Sequence, residues 1–237
     1  VSTTPVVLFW DLDGTLLTTA RAGVYALEEA AHLVLGVDLD LQGMRTAGLT
    51  DAQIAELILR DSGCATLEGD AGEPAIVARF LDVYGAALPS HLPRRQGGVM
   101  PEVRAILEDL AGDGRVVNLL LTGNVEAGAR AKLRHYGLHH LIWEGAFCEG
   151  PGERVLIGRD AVRLATRRLG TAPDPSRTYV IGDTPHDIHC ARALGVRSIA
   201  VATGEYSAQE LATDGAWRVF ESLPAPAQFR ALLELPS

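Results

Sequence analysis

Asp11 and Asp13 stand one residue apart at the end of an apolar run, Val6-Val7-Leu8-Phe9-Trp10, and Gly14-Thr15 follows them. Carboxylates that close repel, and each raises the other's pKa unless a cation lies between them. The pair suits a metal site or a proton transfer, although Asp and Gly are also ordinary turn residues. Two further apolar runs end in small polar residues. Val116 to Leu121 leads into Thr122-Gly123-Asn124, and Thr178 to Ile181 into Gly182-Asp183-Thr184-Pro185-His186-Asp187. If the three ends converge, Asp11, Asp13, Asp183 and Asp187 gather beside a hydroxyl and backbone N–H groups. Oxygen-only ligands favour a hard cation, and one that keeps waters and bridges a phosphate is typically Mg²⁺. A carboxylate held by such an ion stays ionised and can attack phosphorus in line. A second carboxyl two residues on can protonate the leaving oxygen and then activate water. The Thr122 hydroxyl and the N–H groups of Gly123 and Asn124, at the opening of a helix, suit phosphoryl oxygens.

The elements that must position these residues follow from the pattern. Val6 to Asp11, Val116 to Leu121, Thr178 to Ile181 and Arg197 to Val201 are short continuous apolar runs, the signature of strands buried on both faces. Leu141-Ile142-Trp143 is a further short strand candidate. Helical stretches lie between them: Glu102 to Ala111, Glu126 to Tyr136, Arg159 to Leu169 and His186 to Leu194, each with a glycine just beyond its end. This alternation predicts an α/β fold, a parallel sheet with helices on both faces. All strand C-termini of such a sheet share one edge, so residues 11, 122 and 183 can meet there. The stretch 18–97 breaks the rhythm with three helix candidates, Gly23 to Leu35, Thr50 to Leu59 and Ala75 to Leu88, and no strand. Thr50 has the N-cap residue type, and Leu88 to Gly98 reads as a linker. Residues 1–17 and 98–237 are therefore expected to form the α/β core, and 18–97 an inserted all-helical domain.

Composition narrows the partners. The 237 residues are 47% apolar and 22% charged, as in an ordinary globular protein. A net charge of −9 argues against a nucleic-acid partner. No apolar run reaches the roughly 18 residues of a membrane span, and Val1 to Trp10 does not read as a signal peptide. Cys64, Cys148 and Cys190 show neither metal-ligand nor disulfide spacing, which fits free thiols in a reducing cytoplasm. Lys132 is the only lysine in the chain. A P-loop would need Gly-Lys-Ser/Thr, and Lys132 follows Ala131. No Gly-x-Gly-x-x-Gly is present after a strand.

These motifs resemble those of the haloacid dehalogenase-like (HAD) hydrolases, specifically phosphatases with a helical cap inserted after the first motif, such as phosphoglycolate phosphatases. The motifs are Asp11-Leu12-Asp13-Gly14-Thr15, Thr122-Gly123-Asn124 and Gly182-Asp183-Thr184-Pro185-His186-Asp187, and the resemblance covers nearly the whole chain. It implies a Rossmann-like core, Asp11 as nucleophile and Asp13 as general acid/base. It further implies Mg²⁺ bound by Asp11, the Asp13 backbone carbonyl and Asp183, with Asp187 close by. One element departs from the family pattern. A lysine is expected before the third motif-bearing strand, and Glu153 to Arg159 contains none. Arg154, Arg159 and Lys132 are candidates for the missing charge. Arg154 is preferred, because Lys132 lies roughly 12 Å beyond Asn124 along a helix axis. Asp13 favours phosphate-ester chemistry over dehalogenation, since dehalogenases resembling this fold lack the second aspartate. The expected function is a cytoplasmic Mg²⁺-dependent phosphatase of a small phosphorylated metabolite, a monomer or homodimer. A sugar phosphomutase is the alternative, and a non-catalytic binding module a more distant one. His186 and the pair His139-His140 are expected at the surface. The loop Gly43 to Asp51 lies where the family tends to read its substrate.

Overall fold

The computed structural model describes residues 4–63, 72–150 and 152–236; Cys64 lies outside them. The chain runs β1 (Val6–Trp10), β2 (Leu17–Thr18), α1 (Ala22–Leu35), α2 (Asp51–Asp61), α3 (Gly72–His91), β3 (Gly98–Val99), α4 (Val103–Leu110), β4 (Val116–Leu121) and α5 (Glu126–His135). It continues through β5 (Gly145–Ala146), α6 (Arg154–Leu169), β6 (Thr178–Gly182), α7 (Pro185–Leu194), β7 (Arg197–Val201), α8 (Ala208–Thr213), β8 (Arg218–Phe220) and α9 (Pro226–Leu232).

Six strands form one parallel sheet in the order β5-β4-β1-β6-β7-β8. β1 is central because all five of its side chains can be buried: Val6 through Trp10 are each 0% exposed. Strand alternation sends them to two cores. Val6, Leu8 and Trp10 join the cluster holding Val103, Ile106 and Leu107 of α4 and Phe229 of α9. Val7 and Phe9 join the cluster holding Ile157, Ala161 and Ala165 of α6 and Ala191 of α7, which continues into α1 and α3. Each of the larger side chains stabilises the fold by about 2 kcal/mol through burial alone. Trp10 stacks on Phe229 at 5.7 Å, and its indole N–H donates to Asn118 Oδ1 at 2.9 Å, so the one polar residue of β4 is satisfied.

β1 is flanked by β4 and β6, from which the chain continues to opposite edges of the sheet. The crevice at that switch point lies at the ends of the three motif-bearing strands.

Several expectations need correction. Leu141 to Trp143 is not a strand; β5 is Gly145–Ala146. Gly145 lies so flat on β4 that a Cβ there would stand 2.4 Å from Leu120 Cβ. Trp143 instead sits beneath the Arg130 guanidinium, 3.8 Å from the ring centroid. The expected linker is shorter, since α3 continues through Pro89 to His91 and a 3₁₀ turn follows at Leu92–Arg94. Leu88 and Leu92 are buried there, and their packing holds the helix past its proline. α6 starts at Arg154, five residues before the expected Arg159. β8, α8 and α9 complete the core at its C-terminal end.

Between β1 and β4 the described residues carry α1, α2 and α3, a helical cap. The two chain crossings lie side by side as an antiparallel ribbon, Leu17 opposite Val99 and Thr18 opposite Gly98. Gly97 passes so close that a Cβ would stand 2.2 Å from Thr18 O.

Candidate active site

The three strand ends meet as their order in the sheet requires. Asp11 is 5% exposed, Asp183 3% and Asp187 1%, and one oxygen from each lies within 4.8 Å of the others. Arg154, in the first turn of α6, places Nη2 at 2.6 Å from both Asp11 Oδ1 and Asp187 Oδ1. Thr15 Oγ1 donates to Asp183 Oδ1 at 3.0 Å. Thr203, at the end of β7, donates to the Gly14 carbonyl at 2.6 Å, and the next residue must be small. A Cβ on Gly204 would stand 1.8 Å from Asp183 Oδ2. Asp187 also caps α7, its Oδ2 accepting from Thr184 N at 3.1 Å and Thr184 Oγ1 at 2.7 Å.

Burial dominates the electrostatics of this cluster. It pushes the Asp11 carboxyl up to about 7, opposed by Arg154 and reinforced by Asp187. Burial, with Asp11 and Asp187 beside it, pushes Asp183 up to about 8. Three buried carboxylates and one guanidinium leave an excess of negative charge. Asp187 Oδ1 and Arg154 Nε are buried without a hydrogen bond. An all-oxygen, charge-deficient cluster of this kind fits a hard divalent ion, with Asp11, Asp183 and Asp187 supplying the carboxylates.

Asp13 turns the other way. Its side chain is 41% exposed, and its Oδ2 accepts from Lys132 Nζ at 2.5 Å and Asn124 Nδ2 at 2.8 Å. Lys132 also donates to Asn124 Oδ1 and is 4% exposed. This corrects the distance argument made from the helix axis. Side chains on a helix tilt toward its N-terminus, so the lysine stem on α5 runs back toward the strand end. Arg154 and Lys132 thus serve different aspartates, while Arg159 is exposed. Thr122 is buried and accepts from Asn124 N at 3.3 Å and Asn124 Nδ2 at 3.0 Å, holding the turn that opens α5. Gly123 and Asn124 line the cavity above the aspartates; Thr122 is not among its lining residues.

That cavity, about 350 Å³, is lined by the strand ends on one side and by residues of the cap on the other. Asp51 begins α2 behind the Thr50 N-cap, whose side chain accepts from Gln53 N while Gln53 answers the Thr50 N–H. The Asp51 N–H donates to Gly123 O at 2.7 Å, and Asp51 Oδ2 accepts from Val125 N at 2.8 Å. Burial pushes the Asp51 carboxyl up to about 6, with Lys132 pulling it down. A Cβ on Gly48 (φ +78°) would stand 2.3 Å from His186 Cδ2, so the surface histidine of the α7 turn touches the cap loop. His139 and His140 are exposed, as expected. Tyr84 and Thr203 line the cavity without having been singled out from the sequence, whereas Asp51 ends the loop Gly43 to Asp51 that was expected to read the substrate. The run of β7 into Thr203-Gly204 was the available signal for Thr203.

The family model for haloacid dehalogenase-like hydrolases matches residues 8–192. The chain belongs to this family. It is 29% identical over 210 residues to the tyrosine-protein kinase PtkA of Mycobacterium tuberculosis, covering 84% of this chain and 63% of that one. The chain thus spans a little under two thirds of that relative's length. It is 27% identical over 240 residues to a phosphoglycolate phosphatase of Rhodospirillum rubrum, covering 92% of this chain and 87% of the relative. Among solved structures, a hydrolase from Pseudomonas syringae superposes with a TM-score of 0.68 at 21% identity, covering 98% of this chain and 100% of that one. The six-stranded parallel core of this chain is the Rossmann-like core of the HAD fold. Among the described residues, no helix is long and apolar enough to cross a membrane.

Proposed function

We propose that the protein is a Mg²⁺-dependent phosphatase that hydrolyses a small phosphorylated metabolite through an aspartyl-phosphate on Asp11. The observation that carries this reading is the division of labour between two aspartates one residue apart. Asp11 is buried against Arg154 and the Asp183–Asp187 cluster, whereas Asp13 is half open to the cavity beside Lys132 and Asn124.

Asp11 attacks phosphorus in line, forming the Asp11 O–P bond as the P–O bond to the alcohol breaks. Asp13 delivers a proton to the departing oxygen, then takes one from the water that attacks the aspartyl-phosphate, releasing phosphate and free Asp11. Lys132 holds Asp13 in place through both steps. Gly123 and Asn124, with Thr122 behind, form the phosphoryl-binding loop, and Arg154 adds a positive charge from the first turn of α6. A bound Mg²⁺ would neutralise charge on the phosphoryl oxygens, held by Asp11, the Asp13 carbonyl, Asp183 and Asp187.

The name of the Rhodospirillum relative supports phosphatase chemistry, and the domain division 1–17 with 98–237 against 18–97 is part of the same proposal. Cys148 and Cys190 are free and buried, which supports a cytoplasmic setting, as a monomer or homodimer. Asp11→Asn is expected to lower hydrolysis of p-nitrophenyl phosphate in Mg²⁺ by about 10³-fold or more. Wild-type rates in that variant would refute the covalent mechanism.

A further inference from the structure

We infer that the cavity selects a phosphate ester whose leaving group is uncharged and bears hydroxyls, and that it rejects one carrying a carboxylate or a second phosphate. This rests on the phosphatase reading above and names its substrate class.

The inference comes from what the cap places opposite the phosphoryl position. Five carboxylates (Asp11, Asp13, Asp51, Asp183 and Glu205) and three cations (Arg21, Lys132 and Arg154) line the cavity. Two of the cations already have carboxylate partners: Lys132 lies 2.5 Å from Asp13, and Arg154 2.6 Å from both Asp11 and Asp187; Glu205 at the rim is in turn paired with Arg45 at 3.6 Å. Arg21 is exposed at the rim, and its Nη2 donates to the carbonyl oxygens of Leu41 and Gln42. A Mg²⁺ ion and a phosphate dianion cancel, so they do not alter this balance.

The cap contributes Leu27, Ile54, Tyr84 and Asp51 to the lining, with Arg21 and Thr46 among its other polar residues. Asp51 Oδ2 accepts from Val125 N, while Oδ1 has no hydrogen-bond partner among the described residues. The Tyr84 hydroxyl has none either, although Tyr84 is 2% exposed and lines the same cavity. One free acceptor and one free hydroxyl beside Leu27 and Ile54 match a ligand that both donates and accepts hydrogen bonds. A hydroxyl-bearing chain does this. A carboxylate or phosphate would instead meet Asp51 as a like charge away from bulk water, and would leave its free oxygen without a donor.

Matched esters that differ by CH₂OH against COO⁻ test this on the full chain in Mg²⁺. The pairs are 2-hydroxyethyl phosphate against phosphoglycolate, and glycerol 3-phosphate against 3-phosphoglycerate. The neutral member of each pair is expected to have the higher kcat/KM by about tenfold or more. Asp51→Asn keeps an acceptor for Val125 and turns a donor into the cavity, so it should shrink or reverse both ratios. Tyr84→Phe should lower kcat/KM for glycerol 3-phosphate more than for p-nitrophenyl phosphate, and it reports even where Asp51→Asn does not fold. Equal or faster hydrolysis of the acids by the wild type overturns the inference, as does an unmoved ratio in folded Asp51→Asn. Absence of hydrolysis of every ester, p-nitrophenyl phosphate included, overturns the phosphatase reading itself, and the substrate assignment falls with it.

Discussion

Lys132 shows how far a side chain can defeat an estimate made along a helix axis. From the sequence, its Cα lies some two turns beyond the Thr-Gly-Asn loop, and only the direction of the stem brings Nζ back to Asp13. The contact is buried on the lysine side, so its loss differs from the loss of a surface ion pair. Lys132→Met would leave Asp13 and Asp51 facing one another with no intervening cation. We expect kcat for p-nitrophenyl phosphate to fall by about 10- to 100-fold and stability to fall by about 3 kcal/mol, read by urea melts. A variant with wild-type kcat would show that Asp13 needs no partner. Arg154 was a candidate from the sequence because it is one of the two arginines in the interval where a lysine was expected. Its position between Asp11 and Asp187 was not legible, since that depends on α6 starting at residue 154 and aiming its first turn at the strand ends.

At the scale of elements, the cap and the phosphate loop meet through backbone as well as side chains. Thr50 was recognisable as an N-cap from its residue type, and it is one. What lies next to it was not recognisable: Asp51 reaches across to hold the first free N–H of α5, because α2 and α5 come together only in three dimensions. Gly123 marks how tight this meeting is, since a Cβ there would stand 2.9 Å from both Leu49 O and Thr50 Cα. Those are backbone atoms of the cap, and they cannot move aside as a flexible side chain would. Gly123→Ala should therefore push the cap off the core while leaving the sheet intact. The expected result is a kcat/KM lower by about tenfold together with faster proteolysis in the cap loop 36–50. Unchanged proteolysis and kinetics would mean that the cap does not close on this loop during turnover.

The molecule as a whole carries an electrostatic load at its centre. Folding raises the pKa of Asp11, Asp51 and Asp183 from an ordinary 3.8 to about 7, 6 and 8, with burial the largest cause in each. A group whose pKa is higher in the folded state binds its proton more tightly there, so stability falls as pH rises through the interval between the two values. Asp113 works in the opposite sense, because its hydrogen bonds from Arg115 hold its carboxyl below the usual range and are lost in acid. The metal-free protein should therefore lose thermal stability steadily from about pH 4 to about pH 8, the interval spanned by the raised values. Millimolar Mg²⁺ should flatten that decline, since the ion favours the ionised carboxylates. Melting temperatures followed by circular dichroism with chelator and with Mg²⁺ check this. A flat profile with chelator would remove the case for a charge-deficient centre.

The local signals in the sequence were strong wherever a single strand or helix carried its own pattern. Continuous apolar runs specified β1, β4, β6 and β7, because a strand buried on both faces needs no polar alternation. The residues just past those runs specified Asp11, Asp13, Asn124 and Asp183 as neighbours, because parallel strands end on one edge. The tertiary structure alone decided what those aspartates touch. Arg154 pairs with one and Lys132 with the other, Asp51 and Tyr84 face them from the cap, and Gly204 leaves room for Asp183. Such contacts join elements up to about 190 residues apart, as Thr203 to Gly14 does. Their strength depends on burial and distance, which no local pattern encodes.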